Sequence, residues 1–128
     1  MTQEELLLSI VKLMFPAEML DHFTPVHVTE TPGDIIIHLE ERDILQNPIL
    51  GHEYEKNGFY ESARINDFPL RDRRVTLNVK RRRWIDRTTG KSVGNTYELT
   101  EKGTRHSKEF AAFLKEVFGS IPDQRQEP

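Results

Sequence analysis

Two arginine-rich stretches, Arg71-Asp-Arg-Arg74 and Lys80-Arg-Arg-Arg-Trp84, carry the chemistry most easily read from this chain. A guanidinium presents a planar fork of donors that engages two phosphate oxygens at once, and several together displace counterions from a polyanion. If Val75–Ile85 is a strand, Lys80, Arg82 and Trp84 share one face and Arg81 and Arg83 the other. The first face continues Thr76 and Asn78, the solvent side, so it is the expected phosphate-contacting surface. Trp84 is a base-stacking candidate there, against the more common role of a tryptophan as a partly buried core residue. Arg87 and Lys91 follow in the next turn. The candidate binding set is therefore Arg71, Arg73, Arg74, Lys80, Arg81, Arg82, Arg83, Trp84, Arg87 and Lys91.

Charge distribution supports attention to this region. The net charge is −3, but residues 1–70 hold 4 basic and 13 acidic side chains, whereas residues 71–115 hold 13 basic and 5 acidic. Such asymmetry points to a polyanion-binding surface, or to two halves that neutralise each other across the fold. A charged strand also guards against edge-to-edge pairing, although four consecutive basic residues exceed what that needs.

Other chemistries find little support. There is no cysteine, which excludes disulfides and thiolate metal sites. His22, His27, His38, His52 and His106 show no i,i+4 pair. Glu40, Glu41 and Asp43 form an acidic cluster without the geometry a two-metal nuclease requires. No phosphate-cradling glycine loop or nucleophile elbow is present. The expectation is a non-enzymatic chain with no catalytic residue, no cofactor and no metal.

The elements that must position these residues read as α+β: antiparallel hairpins or a meander, an N-terminal helix and a C-terminal amphipathic helix. Leu, Ile, Val and Phe make up 27% of the 128 residues, enough for a modest core. Thr2 caps a first helix with Glu4 and Glu5 in its opening turn, and Leu6, Leu7, Ile10, Val11, Leu13 and Met14 form its apolar stripe. Pro16 ends it and opens a short turn over Ala17–His22. A hairpin follows across Thr31-Pro-Gly-Asp34, its second strand centred on Ile35-Ile-Ile37. Residues 43–57 read as an irregular loop, Phe59–Phe68 as a strand stopped by Pro69, and Val75–Ile85 as one long strand. Ser92–Leu99 returns after the turn at Thr88-Thr-Gly-Lys91. A last helix, capped by Thr104 or Ser107, carries Phe110, Ala111, Phe113, Leu114, Val117 and Phe118 on its apolar face. The expected division is one α+β domain over 1–119 and a flexible polar tail over 120–128. No apolar run approaches membrane-spanning length and the acidic start lacks a signal-peptide pattern, so a soluble, cytoplasmic chain is expected.

The hairpin Arg82-Arg83-Trp84 with Asp86-x-x-Thr89-Gly90-Lys91 resembles the Arg-Arg-aromatic-x-Cys-x-x-Cys-Gly knuckle near the N-terminus of one group of bacterial insertion-sequence transposases. The run Asp67-Phe-Pro-Leu-Arg71…Val75-x-Leu-x-Val-Lys-Arg-Arg-Arg-Trp84 is similar to the cysteine-free N-terminal region of a subfamily of those proteins. Lys102-Gly-Thr-Arg-x-x-Lys-Glu-Phe-Ala-Ala-Phe-Leu-Lys115 and the opening Phe15-Pro16…Leu20-Asp21-x-Phe23 extend the resemblance to about residues 6–118, with 67–115 its specific block. The resemblance implies a DNA-binding module that recognises the terminal repeats of a mobile element in double-stranded DNA, with the DDE catalytic domain downstream or on a separate chain. Asp86 and Thr89 stand where the knuckle has thiolates, and threonine is a poor zinc ligand, so a metal is not expected. Gly90 keeps the turn accessible, with strand packing in place of the metal. The competing reading is a protein–protein adaptor that docks a partner catalytic chain, its basic strand paired with acids such as Glu40, Glu41 and Asp43. An inactive remnant of a lost partner is a third.

Overall fold

The computed structural model describes residues 2–97 and 108–120. Helix α1 (Gln3–Lys12) begins at a capping box: Glu5 N–H donates to Thr2 Oγ1 at 3.0 Å, and Thr2 N–H donates back to Glu5 Oε1 at 2.8 Å. Pro16 is the N-cap of α2 (Ala17–His22), as its fixed φ suits. Chain direction then reverses through β1 (Phe23–Glu30) and β2 (Asp34–Glu41), an antiparallel hairpin closed by reciprocal Thr31–Asp34 backbone bonds.

Five further strands follow: β3 (Tyr54–Phe59), β4 (Ala63–Leu70), β5 (Arg73–Lys80), β6 (Arg82–Asp86) and β7 (Lys91–Val93); α3 (Lys108–Ser120) completes the described elements. The larger sheet has the order β1-β2-β5-β4 and the smaller β3-β6-β7. The α+β class, with hairpins and a helix at each end, is thus present. One pairing departs from a meander: β2 and β5 run parallel, from Asp34 opposite Arg74 to Glu40 opposite Lys80. Their connection carries β3 and β4, so the expected loop over 43–57 ends in a strand, and Phe59–Phe68 is divided between two sheets.

Three sequence expectations change here. Pro69 lies inside β4, at a register shift between Asn66 and Pro69. β4 is an edge strand, where a residue without an N–H is tolerated. The expected single strand over 75–85 breaks at Arg81, and its halves enter different sheets. The strand expected over Ser92–Leu99 is short, because β7 ends at Val93 and residues 94–97 are not strand. Residues 98–107 and 121–128 lie outside the described residues, and with them the last two residues of that expected strand, the Thr104 or Ser107 cap, His106 and all but the first residue of the expected tail.

The core lies on one face of the larger sheet. Ile37, Leu39, Ile65, Val75, Leu77 and Val79 alternate inward and meet Val11, Met19 and Phe23, together with Phe110, Phe113, Leu114 and Val117 of α3. Helix α1 contributes only Val11 to this core; Leu6, Leu7, Ile10, Leu13 and Met14 remain exposed. The opposite sheet face carries Thr76, Asn78 and Lys80 from β5, as strand alternation requires.

Candidate nucleic-acid interface

The basic residues of β5 and its flanks divide into those the fold encloses and those it presents. At the β4–β5 turn Arg71 adopts φ 60° and is exposed. Arg73 pairs with Glu30, and Arg74 directs Nε and Nη2, each at 3.0 Å, to Asp34 Oδ1. Both partners flank the β1–β2 turn, brought alongside by the parallel register. From Arg74 the outward side chains are Thr76, Asn78 and Lys80, a stripe of about 20 Å at the usual strand rise. Arg64 of β4, opposite Asn78, lies exposed beside it.

Arg81 to Trp84 behave differently. Arg81 is 5% exposed, its guanidinium carbon 5.0 Å from the Tyr60 ring centre and 4.5 Å from that of Phe118. It also donates to the Asn95 carbonyl at 3.1 Å. Burial lowers the Arg81 pKa, and the nearby Glu41 carboxylate opposes that shift. Arg82 is half-buried, donating its backbone N–H to Glu41 Oε1 at 2.8 Å and Nε to the Glu41 carbonyl at 3.0 Å. Arg83 donates to the Asn57 carbonyl at 3.0 Å. Trp84 is 4% exposed. The solvent face expected to hold Lys80, Arg82 and Trp84 therefore ends at Lys80: the break at Arg81 re-aims everything after it, and Trp84 has no free ring face to offer a base.

Glu41 organises this junction. It is 1% exposed and accepts from Arg82 N–H, from Asn95 Nδ2 at 3.1 Å and from the Tyr97 hydroxyl at 2.5 Å. Burial, reinforced by the Glu41 carboxylate, pushes the Tyr97 hydroxyl far above the usual phenol range. Asn95 also accepts Gln46 N–H at 2.8 Å and donates to the Ile44 carbonyl at 2.8 Å, tying the loop after β2 to the same cluster. Gly94, just after β7, sits where a Cβ would come within 2.8 Å of the Tyr60 ring, so a side chain there would force its neighbours to shift. The adaptor reading pairs the basic strand with acids such as Glu40, Glu41 and Asp43; Glu41 is buried, and the parity of Ile35, Ile37, Leu39 and Glu41 along β2 is the sequence signal that it faces inward.

The β6–β7 turn is held without a metal ligand set. Asp86 Oδ1 accepts Thr88 N–H at 2.9 Å, Gly90 N–H bonds the Asp86 carbonyl at 2.6 Å, and Gly90 takes φ 79°. His52 Nδ1 lies 2.7 Å from Asp86 Oδ2, linking the turn to the segment before β3. Burial alone raises the Asp86 pKa, but the His52 and Thr88 hydrogen bonds outweigh it and hold the carboxyl below its usual value. Arg87 pairs with Glu55 at 2.8 Å and Lys91 is exposed. Among the described residues no group of three or more His, Asp or Glu side chains is arranged to hold a metal ion.

Arg64 and the histidines His27 and His38 were absent from the sequence-derived set. The three share the outward face of the larger sheet, and their role depends on strand pairing invisible in local spacing. Among the described residues no helix is long and apolar enough to cross a membrane. Comparison with known protein families, curated proteins and solved structures finds no match.

Proposed function

We propose that this chain is the DNA-binding N-terminal module of an insertion-sequence transposase, contacting the element's terminal repeats while a downstream or separate DDE domain performs catalysis. The observation that carries the reading is the open face of the larger sheet. Arg64, Arg74 and Lys80 are exposed along it, while the apolar core lies on the other face. The seven residues from Arg74 to Lys80 span about 20 Å, or about six phosphate rises of one DNA strand. Arg71 extends this surface at the β4–β5 turn, and Arg87 and Lys91 add exposed cations at the β6–β7 turn of the smaller sheet. The ion pairs to Asp34 and Glu55 are exposed, and such pairs contribute only ~0–1 kcal/mol, so phosphate oxygens compete with them effectively.

The test is binding to duplexes carrying element ends and to scrambled duplexes across a salt series, with Arg64→Gln/Arg74→Gln/Lys80→Gln alongside. Each lost phosphate contact lowers the slope of log affinity against log salt by about 0.9, so the variant loses roughly 2.7 of slope. A flat salt response in the parent protein overturns the proposal. One observation favours protein docking as a second reading: α1 exposes Leu6 and Ile10, and its C-cap residue Leu13 is 84% accessible. In that reading the chain seats a partner catalytic chain and has no direct contact with nucleic acid.

A further inference from the structure

The register of the larger sheet aligns four polar residues across all its strands. His27 of β1 faces His38 of β2, His38 faces Asn78 of β5, and Asn78 faces Arg64 of β4. At the usual strand spacing this row is about 14 Å long. The two imidazole centres are 5.3 Å apart. Lys80 and Glu40 join His27, His38 and Asn78 around a depression of about 160 Å³.

The groups facing His38 are mostly cationic or able to become so. Lys80 and Arg64 approach from β5 and β4, and His27 from β1. The acids are Glu40, opposite Lys80 in register, and Glu4 of α1, whose carboxylate is 2.7 Å from His27 Nδ1. The hydrogen-bond partners of His38 are neutral: Thr29 Oγ1 at 2.9 Å from Nε2, and Asn78 Nδ2 at 3.3 Å from Nδ1. Asn78 is 8% exposed and its Oδ1 has no hydrogen-bond partner. With the amide nitrogen facing it, Nδ1 serves as an acceptor, the arrangement that suits a neutral imidazole. A proton on Nδ1 requires the amide to rotate, bringing the unpartnered Oδ1 into use as acceptor and freeing the amide N–H groups.

We infer that the row His27–His38–Asn78–Arg64, with Lys80, is a phosphate-oxyanion site in which anion binding is coupled to uptake of a solvent proton by His38. The inference rests on the DNA-binding reading for the source of the phosphate, and the chemistry is shared with free inorganic phosphate. An oxyanion between Lys80 and Arg64 offsets the repulsion that disfavours the imidazolium, as burial and these cations do in the free protein. Linkage then makes binding tighten as pH falls.

The experiment follows the imidazole resonances of His27 and His38 by NMR between pH 5 and 8, for the protein alone, with a 20-base-pair duplex, and with inorganic phosphate. The expected result is a rise of about one pKa unit for His38 with duplex, and a matching gain of up to roughly tenfold in duplex affinity from pH 7.5 to 5.5. His38→Gln removes the pH dependence and retains a steep salt slope from Arg64 and Lys80. Duplex binding that leaves the His38 titration unmoved overturns the inference while the DNA-binding reading stands. A His38 shift with inorganic phosphate, but no duplex binding, supports the anion site and overturns the DNA-binding reading. No shift with either ligand overturns the site. The resonances of the unsubstituted protein decide these outcomes even where His38→Gln fails to fold.

Discussion

Arg71 precedes β5 and Arg73 and Arg74 open it, whereas Arg81 follows it and Arg82 and Arg83 open β6. Each group has three guanidinium groups, yet the fold spends them differently. The first sits at a turn, reaching only exposed carboxylates or solvent. The second closes the junction between two sheets, held by Tyr60, Phe118, Glu41 and backbone carbonyls. A run of arginines in sequence is therefore not a surface patch in space. Where a strand breaks between two sheets, arginine serves as a long bridging donor whose stem and planar head pack against rings.

The comparison is sharpest at Arg81. Replacing it with methionine keeps much of the volume but leaves the Asn95 carbonyl and the Glu41 carboxylate without their cation. Removing one partner of a buried charged cluster costs about 3–5 kcal/mol. Urea unfolding should show that loss as a lower midpoint, and the Glu41→Gln/Arg81→Met double variant should lose less than the sum of the two single changes. If Arg81→Met is as stable as the parent and loses DNA affinity, the division between the two clusters fails. Trp84→Ala belongs to the same class, with an expected cost of about 3–5 kcal/mol from the lost aromatic volume.

Much of this contrast was hidden from the sequence for one physical reason. Alternation fixes the face of a residue only within an unbroken strand, and nothing in Val75–Ile85 marks Arg81 as a break. The same limit concealed the division of Phe59–Phe68, because Glu61 and Ser62 carry no turn chemistry strong enough to announce it. What alternation could reach was legible: Val75, Leu77 and Val79 face in, and Thr76 and Lys80 face away. The helix cap at Thr2, the short helix after Pro16, the Thr31–Asp34 hairpin and the amphipathic face of α3 were also local signals. The pairing of β2 with β5 is non-local, so neither the histidine row nor the Arg74–Asp34 contact could be read before the strand order was known.

The pH dependence of stability separates the two sheets. His38 has its pKa lowered from 6.5 by burial and then by neighbouring cations. Below pH 6.5 the unfolded chain therefore binds a proton that the folded chain refuses. Stability falls as pH drops through 6.5 towards the depressed folded value, and His38→Gln should flatten that limb. In the smaller sheet the sign of the shift is the same but the working range is lower. Asp86 is held below its usual 3.8, so its stabilisation is present above that value and fades as pH falls through the folded pKa. Asp86→Asn should flatten only this acid limb. Unfolding midpoints collected from pH 3 to 8 resolve both, and a single shared transition would erase the distinction.

The smallest effect tests whether an exposed pair hinders the cationic surface. Glu55 and Arg87 face each other at 2.8 Å, both about 60% exposed in their side chains. Such a pair is screened by salt and costs side-chain entropy to hold, so Glu55→Gln should change stability by less than about 0.5 kcal/mol. Its effect on binding has the opposite sign from the changes above. Losing the carboxylate removes a competitor for the Arg87 guanidinium and a negative charge near the incoming phosphates, so duplex affinity should rise about two-fold at low salt. The gain should shrink as salt approaches the concentration at which the Debye length falls below the pair's reach. An unchanged affinity at low salt would place Arg87 outside the interface and confine the binding surface to Arg64, Arg74 and Lys80 on the larger sheet.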